Sequence, residues 1–251
     1  MSVPAEWADG LTGSAVAVRA RAKLTLSLRI TGVRADGYHL IDSEMVTVDL
    51  ADSLEFRDGD SLTVTGLGAG GPVPAGEANL VSRALAAVGR RADVRLQKRI
   101  PTGGGLGGGS ADAAAVLRWA GSRDVATAVA LGADVPFCLA GGRARVGGVG
   151  ERIEPLPFDE VAGRPYTLLV PPLHVSTVEV YRAWDRLGGP SGRHGNDLEP
   201  AALAVSPELG AWRDRLGEAT GETPLLAGSG ATWFVPGAHE GPGFVVVRVE
   251  R

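Results

Sequence analysis

Six of the seven residues from 103 to 109 are glycine, and they join two segments of opposite character. Before them, Val94, Leu96 and Ile100 alternate with Arg95, Gln97 and Arg99, the period-two pattern of a half-exposed strand. After them, three alanines with Val116, Leu117 and Trp119 predict a buried helix beginning near Ser110. A flexible linker would mix its glycines with serine and proline. Glycine between a strand and a helix lets the backbone approach a ligand closely and aim successive amides at it. The helix start adds unpaired N–H groups and the positive end of its dipole. The natural guest is a phosphate, and Ser110 is placed to cap the helix and to offer a hydroxyl to that phosphate or its metal.

Two familiar phosphate loops fit poorly. GxxxxGK[ST] fails because no lysine precedes Ser110. GxGxxG does match at Gly103, Gly105 and Gly108, but the first strand of a dinucleotide fold is buried on both faces, whereas residues 93–100 carry Arg95, Gln97, Lys98 and Arg99. The region where that fold needs a second strand, GSRDVATAVALG, has helical composition.

Glycine and proline are abundant, 37 and 16 residues, yet 44% of the chain is hydrophobic, enough for a real core, so disorder is not expected. The single cysteine, Cys138, excludes an intramolecular disulfide and a multi-thiolate metal site. A net charge of −4 with no long basic run argues against nucleic-acid binding but leaves room for a local anion pocket. With no apolar run near the ~18 residues of a membrane span, and an opening MSVPAEWADG that is neither basic nor apolar, the expectation is a soluble cytoplasmic protein.

From 16 to 30 every even position is apolar and six of the seven odd ones are polar, a long or bent strand with one buried face. That parity puts Lys23 on a polar face with Arg19 and Arg21. Further strands are expected at 45–50, 61–65, 143–149, 166–170, 231–235 and 243–249, and helices at 77–88, 178–187 and 207–216. GLGAGGPVPAG reads as a loop, and EPLPFDEVAGRP as a junction between domains at 1–157 and 158–251. Strands and helices in this order predict an α+β fold in both halves.

PTGGGLGGGSADAAA resembles the phosphate loop of the GHMP small-molecule kinases. AKLTLSLRITGVRADGYHLI, EANLVSRAL, GADVPFCLAGGRARVGGVGERIEPL, STVEVYRAW, NDLEP and GSGATWF follow the order found in one branch, over residues 20–234. That branch phosphorylates 4-diphosphocytidyl-2-C-methyl-D-erythritol in the non-mevalonate isoprenoid pathway. The resemblance implies a two-domain fold, S5-like then ferredoxin-like, with the site in a cleft between them. It also implies ATP and Mg²⁺, a small-molecule partner, and a monomer or weak homodimer that binds neither nucleic acid nor membrane.

Residue by residue, it implies that Asp134 is the catalytic base and contacts substrate, and that Lys23 pairs with it and polarises the acceptor hydroxyl. Tyr38 and His39 of DGYH would hold the cytosine, with Tyr181 as a second aromatic face and the base between the two tyrosines. Gly228, Ser229 and Gly230 would approach the substrate. Asn79, Lys98, Pro101, Gly103, Gly104, Gly105, Leu106, Gly107, Gly108, Gly109 and Ser110 would bind the nucleotide. From the residues alone, Lys23 and Lys98 read equally as solvated charges, Asp134 and Asn79 as helix caps, and Tyr181 as a packed aromatic. No Mg²⁺ carboxylate stands out beyond help from Ser110 and Asp112. Thr25 stands where the family usually has Asn, and the stretch between Ser110 and Gly132 is shorter than is usual there. DGYH separates this reading from its rivals among the GHMP kinases, since homoserine and sugars have no base to stack. A nucleotide-binding paralogue with little turnover is the remaining alternative.

Overall fold

The computed structural model describes residues 15–66 and 76–251. The opening segment and nearly all of the GLGAGGPVPAG stretch lie outside the described residues.

Two long antiparallel strands, β1 (Val16–Val33) and β2 (His39–Arg57), form a hairpin closed by the turn at 34–38. β2 gives one edge to β1 along nearly its whole length. Its other edge is shared between β5 (Arg143–Gly148), which pairs residues 41–46, and β4 (Asp93–Gln97), which pairs residues 53–57. β3 (Ser61–Thr65) adds parallel to β4, and β6 (Arg152–Pro155) antiparallel to β5. On β1 the alternation holds where it matters, with Ala20, Ala22, Leu24 and Leu28 buried. Register shifts between Arg21 and Lys23 and between Thr25 and Ser27 mark where the strand bends.

One face of this sheet is covered by α1 (Leu80–Ala87), α2 (Gly108–Trp119), α3 (Val125–Leu131) and α4 (Val135–Ala140). α1 starts after the Asn79 cap and a 3₁₀ turn at Gly76–Ala78, and Gly89 follows it with positive φ. α2 begins at Gly108, two residues earlier than its composition predicts. Its capping residue is Gly107, so Ser110 lies in the first turn and is not the cap. All seven residues of α2 from Ala111 to Leu117 are buried, which explains why alanine dominates there. Trp119 stacks on Phe56 at 4.5 Å.

A second, antiparallel sheet has the order β10–β7–β9–β8, made of Phe244–Arg248, Pro165–Leu169, Trp233–Pro236 and Leu225–Leu226. α5 (Thr177–Arg186), α6 (Glu199–Val205) and α7 (Leu209–Thr220) pack with it. Two helices stand outside those expected from composition: α6 begins within NDLEPAAL, and α4 forms within GADVPFCLAGG. The sheets are joined: Val48 bridges Val249, the Glu250 amide donates to the Thr47 carbonyl, and Leu168, Phe234 and Val247 belong to the core cluster that holds Ala22 and Leu24. The result is the expected α+β arrangement with two sheets.

Candidate active site

A cleft of about 780 Å³ opens where β1, the 36–39 turn, the glycine loop, the start of α4, α5 and the 228–229 turn converge. It is lined by every candidate site residue named above except Asn79, Asp112 and Gly230. Asn79 caps α1 by accepting a hydrogen bond from the Val81 amide at 2.9 Å, and its neighbour Leu80 faces the cleft.

The glycine loop is shaped as much by its own protein as by any ligand. A Cβ on Gly105, which has φ +75°, would lie 2.0 Å from the Ala227 carbonyl oxygen. One on Gly107, at φ +69°, would meet Lys23 Cγ at 2.8 Å. The Ala231 and Thr232 amides donate to the Gly103 and Gly104 carbonyls, so the loop is stitched to the 228–230 turn. Leu106 is buried and its carbonyl accepts from the Lys23 amide.

Lys23 is 4% exposed, not solvated as its parity predicts, because the loop and the 228–230 turn cover that part of the polar face. Its Nζ lies 3.4 Å from Asp134 Oδ2 and donates to Thr25 Oγ1 at 2.9 Å. Thr25, which stands where the family usually has Asn, thus still offers Lys23 a hydroxyl acceptor. Asp134 precedes α4 without capping it through its side chain, and that side chain is 34% exposed to the cleft. Cys138, one turn further along α4, is buried, and desolvation pushes its thiol up to about 12, which leaves it an inert packing group.

Lys98 is equally buried, and its ammonium donates to both Asp52 and Asp112, the latter at 2.6 Å. Asp52 also accepts the amides of Arg99 and Ile100 at 2.5 and 2.8 Å. Burial pulls the Lys98 ammonium down, but the two carboxylates outweigh it and hold it above its ordinary value. Desolvation pushes Asp112 up to about 8, with Asp52 adding to the rise and Lys98 opposing it. One oxygen of Asp112 is buried with no partner. The Asp112 carboxyl group is closed off and accepts from Lys98, which leaves a cation no open face there.

On the opposite wall, Tyr38 is 63% exposed. His39 packs on Tyr181 at 4.8 Å and edge-on to Trp184 at 5.4 Å, with Nε2 2.8 Å from Asp185 Oδ1. Desolvation raises the Tyr181 phenol. Tyr181 thus has a ring partner in His39, while the exposed Tyr38 ring carries the Arg34 guanidinium 5.9 Å from its centroid. Ser229 Oγ is 2.8 Å from Thr177 Oγ1.

Sequence reasoning missed the residues that hold these pieces. Asn196 Nδ2 donates to the Leu226 and Gly228 carbonyls at 2.9 and 2.7 Å, fixing the turn that covers Lys23. Asp197 accepts from Arg29 and from the Ile30 amide on β1. Asp52 and Asp185 are likewise silent in sequence, because each acts through a partner distant along the chain.

Residues 79–142 match the family described as GHMP kinases N terminal domain. A 4-diphosphocytidyl-2-C-methyl-D-erythritol kinase of Pelotomaculum thermopropionicum is 40% identical over 256 residues, 86% of this chain and 86% of that one. A crystal structure of a 4-(cytidine 5'-diphospho)-2C-methyl-D-erythritol kinase, 35% identical, aligns with a TM-score of 0.67 over 87% of this chain and 89% of that chain. A homoserine kinase from Cytophaga hutchinsonii shares the fold at 20% identity, TM-score 0.53, over 88% of this chain and 86% of its own.

Proposed function

The chain belongs to the 4-diphosphocytidyl-2-C-methyl-D-erythritol kinases, and from that premise we propose that the cleft transfers the γ-phosphate of ATP to the 2-hydroxyl of that substrate, with Asp134 as base and Lys23 as its charged partner. The protein is an ATP-dependent small-molecule kinase of isoprenoid biosynthesis. The observation that carries the assignment of roles is the Lys23–Asp134 pair, 3.4 Å apart at the mouth of the glycine loop with only the carboxylate open to the cleft.

Phosphoryl transfer is catalysed by positioning and charge neutralisation more than by covalent chemistry. The loop amides and the start of α2 receive the nucleotide phosphates, with Pro101, the loop glycines, Leu106 and Ser110 forming the cradle. The Asp134 carboxylate orients the acceptor hydroxyl and takes its proton as the oxygen bonds to phosphorus. Lys23, fixed by Thr25, holds Asp134 in place and balances its charge. Lys98 supports the floor of this nucleotide site, beside Gly108. Tyr38, His39 and Tyr181 bind the cytosine, and Gly228 and Ser229 border the alcohol.

Among the described residues no group of three or more His, Cys, Asp or Glu side chains could hold a metal ion. A Mg²⁺ that arrives on the nucleotide keeps several waters and needs few protein ligands, and Ser110, on the cleft wall, would offer it a hydroxyl. When bound, it neutralises charge on the transferring phosphates.

The test is ADP release from ATP and Mg²⁺ with the cytidyl substrate, beside homoserine and galactose. Turnover with the cytidyl substrate alone is expected; turnover with homoserine in its place would overturn the reading.

A further inference from the structure

Among the described residues, the charged side chains that line the cleft are paired, with one exception. Lys23 is held by Asp134, Asp36 by Arg34, His39 by Asp185, and Lys98 by Asp52 and Asp112. Arg182 also lines the cleft and, among the described residues, has no hydrogen-bond or ion-pair partner. Asp185, three residues on along α5 and within helical reach, is engaged by His39.

A lone exposed arginine is usually just solvated. The position of this one says more. Thr177, Val178, Tyr181, Arg182 and Asp185 fall on one stripe of α5, and all of them line the cleft. The same stripe carries the Tyr181 ring and the carboxylate that fixes His39. Arg182 therefore stands beside the wall assigned to the base.

The phosphates of ATP have the glycine loop and a helix start to receive them. A substrate built as a nucleoside diphosphate ester brings a second set of charges, and among the described residues no other cation on the cleft wall is free to meet them.

We propose that Arg182 is a specificity-determining binding residue that contacts the diphosphate of the nucleotide-linked alcohol. This rests on the kinase reading above and assigns a recognition element within it. A guanidinium suits the role because its planar fork can donate to two phosphate oxygens at once and stays charged at any working pH. Because the side chain is exposed and makes no internal bond, Arg182→Gln leaves the fold intact.

Two measurements test this. In steady-state kinetics with each substrate varied, Arg182→Gln is expected to raise KM for the diphosphocytidyl substrate about tenfold or more, with kcat and KM for ATP within about twofold. Arg182→Lys should recover part of the loss. An unchanged KM for that substrate, or an equal rise in KM for ATP, would overturn the proposal. By calorimetry, CDP should bind the wild type about tenfold more tightly than Arg182→Gln, while cytidine should bind both alike. Equal CDP affinities, or no CDP binding by the wild type, would also overturn it. Failure of the kinase reading would show separately, as a wild type that binds CDP but releases no ADP with the cytidyl substrate.

Discussion

Lys23 and Lys98 flank the same glycine loop and are equally buried, each 4% exposed, yet they keep opposite company. Lys23 has one carboxylate, Asp134, whose other side faces the cleft, and one hydroxyl, Thr25. Lys98 has two carboxylates, both sealed in, and one of these is further satisfied by two backbone amides. Burial alone does not separate Lys23, proposed to act in transfer, from Lys98, proposed to be structural. What distinguishes them is whether the partner has a face left for a ligand: Asp134 does, and Asp52 and Asp112 do not.

The largest effect should follow from removing that open partner. Asp134→Asn is expected to lower kcat by about a thousandfold, within the usual range for losing a general base, with KM for ATP nearly unchanged. Proportional loss of both would assign Asp134 to binding.

The closed cluster should show itself in stability, through pH. An Asp whose folded value is raised to about 8 from 3.8 keeps its proton in the folded state where the unfolded chain has lost it. Stability therefore falls as pH rises between those values, by up to about 1.4 kcal/mol per pH unit. Lys98, raised above its ordinary 10.5, stays charged throughout that window and contributes no slope there. Asp112→Asn removes the term, so urea unfolding from pH 5 to pH 8 should show the variant gaining on the wild type as pH rises. A constant difference would mean that Asp112 is ionised in the fold.

The smallest effect is expected at Thr25. Thr25→Val removes the hydroxyl that accepts from Lys23 and should lower kcat severalfold, in line with about 1 kcal/mol for one hydrogen bond. An unchanged kcat would mean that Asp134 alone positions the ammonium.

Much of this was legible in sequence because it is local. The period of β1, the glycine run and the alanine-rich helix behind it each reveal themselves within a dozen residues. The contrast between the lysines was not, because it depends on what covers them. Lys23 lies on the polar side of its strand, and only the folded loop and the 228–230 turn bury it. Asp52 interrupts an apolar stretch as a strand end would, yet β2 runs through it to Arg57, because the Arg99 and Ile100 amides, nearly fifty residues on, satisfy its carboxylate. The start of α2 was misplaced for a related reason: Gly107, in a left-handed conformation against Lys23, opens the helix before the first residue whose side chain could announce it.

The division of labour between the two lysines is tested most directly by measuring single-turnover phosphate transfer and the urea midpoint on the same two variants, Lys23→Met and Lys98→Met. Lys23→Met should abolish transfer with the midpoint nearly unchanged. Lys98→Met, which leaves the buried Asp52 carboxylate without its ammonium, should lose about 3–5 kcal/mol of stability while the molecules that remain folded still transfer phosphate. Folded Lys98→Met that is as inactive as Lys23→Met would contradict the account.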